Sequence, residues 1–253
     1  MGLFKRWRRK RIGQKPFPDT WRFILKDNVP YYSRLKENDR QELHRHIMVF
    51  LSEKNFEGCG GLVITDEIKV TIAAQACILL LHRKTDYYPG LNTILVYPSS
   101  FMVPHRTIYE GGMIIEGSLP LSGQSWHRGP VILSWDDVKH SIADAHDGHN
   151  VVFHEFAHQI DSAMGEGDSS DVLRRHSSFI AWARVMQKDF QRLREAFESN
   201  QSTVLDKYGA TNPAEFFAVA TEFFFERPAE LQKHHPDLYN ELKNFYHQDP
   251  AGN

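Results

Sequence analysis

The chain has 253 residues, of which 41 % are apolar and 25 % are charged, and this composition predicts a globular protein with an ample core. No apolar run approaches the length of a membrane-spanning helix. Only two cysteines occur, Cys59 and Cys77, and they lack CxxC spacing, which argues against a thiolate metal site or a disulfide framework. The N-terminus lacks the apolar stretch and cleavage site of a signal peptide, so we expect a cytoplasmic location.

The positive charge of the chain is concentrated at its start. Residues 1–12 hold six Lys and Arg side chains and no acid, which leaves the rest of the chain at −8. On a helix, Leu3, Phe4 and Trp7 would form a small apolar face flanked by cations, compatible with weak contact to an anionic membrane surface or to nucleic acid. A disordered solubilising arm is the alternative. The acidic remainder argues against direct nucleic-acid binding.

No pattern in the basic segment indicates docking into a core. We therefore predict a basic tail over residues 1–14, dispensable for catalysis, followed by a single domain over residues 15–253. Within that domain, periodic apolar positions predict helices over residues 37–54, 67–82, 171–199 and 213–225, and from residue 236 onwards. Short apolar runs predict strands over residues 93–97, 113–115 and 131–135. The expected fold class is α+β, mostly helical with a small mixed sheet.

The most informative stretch is His154-Glu155-Phe156-Ala157-His158, the HExxH arrangement of zinc hydrolases. An α-helix places residues i and i+4 on one face, so both imidazoles can bind one Zn²⁺ while Glu155 reaches a metal-bound water. The surrounding apolar stripe predicts a buried helix, with Asn150 or Asp147 as its N-cap. The alternative is a core helix with two histidines that happen to lie one turn apart.

A strand before this helix bears on substrate binding. Strands near the metal of zinc peptidases commonly pair with extended substrate backbone, and Val131–Ser134 is the candidate for such an edge strand. An ordinary strand inside a sheet is equally compatible with the sequence.

A catalytic zinc usually takes three protein ligands, so the third must lie elsewhere in the chain. The residues three and six beyond His158 are Asp161 and Met164, which rules out the metzincin spacing. Two downstream carboxylates, Glu215 and Glu222, lie on the same side of the predicted helix over residues 213–225. Glu215 could instead complete a capping box with Asn212, and Glu222 could orient a zinc-bound imidazole. The residues alone leave both open as ligands.

Three segments of the sequence resemble the MtfA (Mlc titration factor A) family of zinc peptidases: residues 149–161, residues 123–135 and above all the block from Tyr208 to Glu222. The similarity runs from about residue 17 to residue 250. The resemblance implies a zincin-type metallopeptidase fold, with His154, His158 and Glu215 as the ligands of Zn²⁺. The spacing from Tyr208 to Glu215 is also similar to that in the lethal factor protease, which implies that Tyr208 faces the substrate carbonyl.

These parts predict a gluzincin-type peptidase in which Zn²⁺ polarises the scissile carbonyl and Glu155 moves the proton from water to the leaving amine. The resemblance further implies aminopeptidase-like activity on peptide or protein substrates, together with binding of a sugar-responsive transcriptional repressor. The competing hypothesis is a weakly active or non-catalytic zinc protein that acts mainly by sequestering such a regulator. A non-peptidase zinc hydrolase also fits the HExxH motif.

Overall fold

The computed structural model of the chain describes residues 3–108, 114–121, 123–125, 129–165 and 176–252. The N-terminal helices are α1 (Leu3–Gly13), α2 (Asp19–Asn28), α3 (Pro30–Arg34), α4 (Glu37–Glu53) and α5 (Asp66–Ile78). The strands are β1 (Asn55–Gly58), β2 (Thr93–Tyr97), β3 (Phe101–Ile108), β4 (Ile114–Leu121), β5 (Gly123–Ser125) and β6 (Val131–Ser134). The later helices are α6 (Trp135–Ala143), α7 (Val151–Gly165), α8 (His176–Glu198), a 3-10 turn (Lys207–Ala210), α9 (Pro213–Glu226), α10 (Pro228–His234) and α11 (Pro236–Tyr246).

This architecture confirms the predicted α+β class with its helical majority. The predicted helices correspond to α4, α5, α8, α9 and α11, and the predicted strands to β2, the start of β4, and β6. Residues 171–175 of one predicted helix and residue 113 of one predicted strand lie outside the described residues. In the described part of the chain, no helix has both the length and the apolar character needed to span a membrane.

The main sheet has four strands in the order β1-β2-β6-β5, and a separate hairpin pairs β3 with β4. The first three strands run parallel, and β5 pairs antiparallel with β6 through the register Gln124↔Ile132. The sheet is therefore mixed, as predicted. The prediction that β6 is an edge strand is wrong, because β2 and β5 occupy its two sides and take up its ladder hydrogen bonds. The edge on this side belongs to β5.

The centre of the fold is the packing of α7 against α9. Every residue of α9 from Phe216 to Glu226 is buried, so this helix runs through the core and not along its surface. Phe156 on the opposite side of α7 contacts Tyr88 and Phe50 edge-on or tilted, at centroid distances of 4.9 and 5.8 Å. The buried aromatic packing on both sides of α7 fixes the helix that carries the HExxH motif.

The basic N-terminal segment is not an undocked tail. It forms α1, which packs on α4, and its Arg9 side chain is only 7 % exposed. Arg9 donates to Glu53 through Nε and Nη2 at 2.9 and 2.6 Å, and to Asp86 through Nη1 at 2.6 Å. The inference that no pattern docks these charges is therefore wrong, because the partners lie 44 and 77 residues away and leave no local signal.

Candidate metal centre

The N-terminus of α7 is shaped by two residues that precede it. Gly148 adopts φ +91°, and a Cβ at this position would lie well under 3.0 Å from the ring of Phe223. Asn150 is the N-cap, since its Oδ1 accepts a hydrogen bond from Phe153 N at 3.0 Å. Of the two predicted caps, Asn150 is thus the one the structure supports. This fixed start aims His154 and His158 at α9.

The N-terminus of α9 presents Glu215 toward the same region. Asn212 caps the helix by accepting from the backbone N–H groups of Ala214 and Glu215 at 2.9 and 3.0 Å, and Pro213 occupies the first helical position. The cap therefore uses the backbone of Glu215. Its carboxylate points instead at the two imidazoles of α7.

The three predicted ligand side chains converge on one point. Glu215 Oε2 lies 3.0 Å from His154 Nε2 and 3.3 Å from His158 Nε2, and the two Nε2 atoms are 3.2 Å apart. Tetrahedral zinc ligands at ordinary bond lengths lie about 3.4 Å from one another. Two imidazole nitrogens and one carboxylate oxygen, arranged in a near-equilateral triangle, therefore fit a divalent zinc ion as a donor set.

Glu222, the rival ligand, lies behind His154 and does not face the triangle. Its Oε1 is 2.7 Å from His154 Nδ1, and its Oε2 accepts from the backbone N–H of Asn150 at 2.6 Å. The Nδ1–H of His154 thus donates to Glu222, which leaves Nε2 as the nitrogen directed at the centre. Glu222 orients the ring and does not join the donor set.

A third carboxylate extends this arrangement by one helical turn. Asn150 Nδ2 donates to Glu226 Oε1 at 3.0 Å, so Asn150 links the start of α7 to both Glu222 and Glu226. Burial raises the pKa of Glu226 to about 8, and the hydrogen bond from Asn150 opposes that rise. The sequence reasoning missed this link, although the i, i+4 spacing of Glu222 and Glu226 on one helix face was a visible signal.

The electrostatics of the triangle pair a protonated His154 with an ionised Glu215. Burial opposes protonation of His154, but hydrogen bonds to Glu215 and Glu222 outweigh it and raise its pKa to about 10. Burial likewise opposes ionisation of Glu215, and the hydrogen bonds from His154 and His158 overcome it and lower its pKa to about 2. A proton shared among these groups fills the position that a divalent cation would take, so metal binding would displace it.

Glu155, the predicted general base, is buried within electrostatic range of the triangle. It is 4 % exposed, and its Oε2 has no hydrogen-bond partner among the described residues. Burial raises the pKa of Glu155 to about 8, against the opposing influence of His154. A buried carboxyl oxygen without a partner is costly unless water, a cation or another ligand meets it, and a divalent cation in the triangle would lower the pKa of Glu155 and favour the carboxylate that a proton acceptor needs.

Tyr208 stands at the open side of the same centre. It lies in the 3-10 turn that Asp206 caps, and its side chain remains 52 % exposed. Its ring centroid is 5.9 Å from that of His154, and burial together with Glu215 and Glu155 raises the pKa of the phenol to about 12. The phenol therefore stays protonated at neutral pH and can donate a hydrogen bond beside the triangle.

One further group of potential metal ligands occurs in the described part of the chain, at Asp39, Glu42 and His82. The imidazole of His82 lies 3.5 Å from Asp39 and 3.6 Å from Glu42 through its two different nitrogens. This geometry suits a histidine between two carboxylates, and the group lies on α4 and the turn after α5, away from the HExxH helix.

Comparison with known proteins identifies the family. A family model described as glucose-regulated metallo-peptidase M90 matches residues 4–247. An uncharacterized protein of Synechocystis sp. is 44 % identical over 250 residues, covering 98 % of this chain and 90 % of the relative. Mlc titration factor A of Serratia proteamaculans is 32 % identical over 224 residues, covering 88 % of this chain and 85 % of that protein. Mlc titration factor A of Yersinia pestis is 30 % identical over 226 residues, with 88 % and 83 % covered. The family-model match spans the metal-centre residues, and together with these relatives it shows that the chain belongs to the MtfA (Mlc titration factor A) family of metallo-peptidases.

Proposed function

We propose that this protein is a zinc-dependent peptidase whose metal is held by His154, His158 and Glu215. The observation that carries the proposal is the convergence of these three ligand atoms, at separations of 3.0 to 3.3 Å, beside the buried carboxyl group of Glu155. A purely structural zinc site is closed by four protein ligands and needs no base, whereas this one offers three ligands and a base. The arrangement is that of a hydrolytic centre.

Bound zinc would supply Lewis acidity for a peptide carbonyl and for the attacking water. The residues of the chain perform the remaining work. Glu155 accepts a proton from the water on its carboxylate and delivers it to the nitrogen of the leaving amine. Tyr208 donates its phenolic hydrogen to the oxygen on which negative charge develops. Glu222 keeps His154 in the tautomer that leaves Nε2 free.

The family resemblance supports a more specific activity, ligation type and location. We propose aminopeptidase-like activity on unblocked peptides, gluzincin-type ligation and action in the cytoplasm. An aminopeptidase must recognise a free α-amino group, which a blocked peptide lacks. Comparison of matched peptides with free and acetylated N-termini therefore separates this activity from internal cleavage.

A second candidate function comes from the names of two relatives, which describe them as titration factors of Mlc. By analogy, this chain would bind a transcriptional repressor of the same kind and withdraw it from DNA. The intact base Glu155 favours the enzyme, because sequestration alone needs neither a proton acceptor nor an open metal position. Binding of a repressor by a Glu155→Gln variant would show that sequestration operates apart from hydrolysis.

The test of the proposed function joins metal analysis to peptide hydrolysis. We expect one zinc per chain in the wild type, its loss in Glu215→Ala, and wild-type zinc content with abolished hydrolysis in Glu155→Gln, since the amide cannot accept the water's proton. His82→Ala is the matched control and should retain both zinc and turnover. Wild-type turnover in folded Glu155→Gln, or loss of the zinc in His82→Ala, would overturn the assignment.

A further inference from the structure

The anchoring of α1 differs from that of an ordinary surface helix. A docked amphipathic helix buries mainly apolar side chains, but α1 buries the guanidinium of Arg9 between Glu53 and Asp86, and Ile12 near its end also packs against the core. Lys5 adds a further ion pair to Asp86 at 2.9 Å, and Arg9 also lies over the ring of Tyr87 at 4.6 Å. Polar anchoring therefore fixes which side of the helix faces outward.

The outward side carries the aromatic residues of α1. Phe4 is 78 % exposed and Trp7 is 58 % exposed, and their ring centroids are 6.2 Å apart. Arg11 stands over the Trp7 ring at 5.7 Å, which places a cation beside the aromatic pair. Arg6 and Lys10 are also exposed, and neither forms an ion pair with the residues that the structure describes.

We propose that this outward side of α1, formed by Phe4, Trp7, Arg6, Lys10 and Arg11, docks the protein on an anionic lipid bilayer. A helix with exposed aromatic side chains flanked by cations lies in the plane of a membrane surface, with its rings at the headgroup level and its charges against anionic lipids. The charge complementarity is local, because Arg6, Lys10 and Arg11 lie together on this side, while Arg9 and Lys5 are paired with acidic residues on the inner side of the helix.

The same residues favour a bilayer over nucleic acid. Single strands bind by stacking bases on open aromatic faces, but Phe4 and Arg11 already pack against Trp7. The chain after residue 12 is negatively charged and would repel a nucleic acid that wraps around the protein. A flat bilayer needs to contact only the outward side of α1. The inference is independent of the metal centre, since none of these residues contacts it.

The experiment is co-sedimentation of the full chain with lipid vesicles. We expect binding to vesicles of phosphatidylcholine with about one-third phosphatidylglycerol, little binding to phosphatidylcholine alone, and release at about 1 M salt. The double variant Phe4→Ser/Trp7→Ser and the triple variant Arg6→Gln/Lys10→Gln/Arg11→Gln should each weaken the partition coefficient about tenfold or more. Peptidase activity and thermal unfolding should stay at wild-type values, because these side chains point away from the fold.

Two controls make the result specific. Phe23 on α2 is 64 % exposed, and Phe23→Ser should leave vesicle binding unchanged. Trp7→Phe keeps an aromatic ring and should bind normally. Subtracting the emission spectrum of this variant from that of the wild type isolates the fluorescence of Trp7, which should shift to the blue when anionic vesicles are added. Any one of four results would overturn the proposal. These are equal binding to both lipid compositions, unchanged binding by the double variant, equal weakening in Phe23→Ser, and binding to an oligothymidine probe in place of vesicles.

Discussion

Replacement of Glu222 by Gln tests whether this residue acts on the metal through His154 or binds it directly. The carboxylate accepts two hydrogen bonds, from His154 Nδ1 at 2.7 Å and from Asn150 N at 2.6 Å, and it is 5 % exposed. Glutamine preserves the shape and one acceptor oxygen. It removes the negative charge behind the imidazole and can present an N–H group to a nitrogen that needs an acceptor.

The expected loss follows from this orienting role. Removal of a carboxylate that orients a metal-bound histidine typically weakens metal binding about 10- to 100-fold, which is about 1.4 to 2.7 kcal/mol. Glu215→Gln should lose more, because it changes a direct ligand. Competition with a chromophoric zinc chelator measures both dissociation constants on the same protein preparation, and circular dichroism checks that each variant is folded.

Glu226→Gln is the matched control for this measurement. Glu226 lies one turn further along α9 and binds the same Asn150, but among the described contacts it does not reach His154. Its substitution should change zinc affinity less than threefold. The reasoning fails if Glu222→Gln binds zinc like the wild type, or if Glu222→Ala loses zinc while Glu215→Ala retains it.

Three further predictions concern catalysis, backbone strain and pH. Tyr208→Phe should lower kcat about 100-fold with KM and zinc content unchanged, because a hydrogen bond to the oxyanion strengthens as charge develops; a raised KM with normal kcat would contradict this. Gly148→Ala should lower the free energy of unfolding in urea by about 2–4 kcal/mol, through positive φ and the clash with Phe223, and a change below about 0.5 kcal/mol would refute the argument. Burial lowers the pKa of His44 from 6.5 to about 4. The unfolded chain therefore binds this proton first, and His44 by itself should make the free energy of unfolding fall by about 2–3 kcal/mol between pH 7.5 and 4.5, against the opposite contributions of groups such as Glu226 whose pKa is raised. In His44→Gln that fall should shrink, as urea titrations at both pH values would detect.

The elements that sequence reasoning located well are those specified by local chemistry. The start of α9 was predicted at the correct residue because Asn212 and Pro213 are adjacent start signals, and its end followed from Arg227-Pro228. The HExxH helix was also predictable from local sequence, because the four-residue spacing of His154 and His158 places both side chains on one helix face.

The features that escaped prediction depend on distant segments. The position of β6 inside the sheet depends on β5, a strand of three residues that is too short to show a period. The docking of α1 depends on Glu53 and Asp86, which charge patterning within residues 1–12 could not reveal. Within the site, the sequence distinguished Glu215 from Glu222 as the third metal ligand only through the family resemblance. The capping geometry of Asn212, which frees the Glu215 carboxylate, appeared in the three-dimensional structure.

The triangle of His154, His158 and Glu215 joins segments more than fifty residues apart in sequence, so a metal bound there is also a reversible cross-link. The two histidines come together as soon as α7 forms, but the carboxylate arrives only when α9 has docked in the core. A cation at this point closes a long loop and stabilises the native state by mass action. Tight retention of a metal here should therefore require the completely folded chain, and a partly folded intermediate holding only the histidine pair would release the metal to a competing chelator.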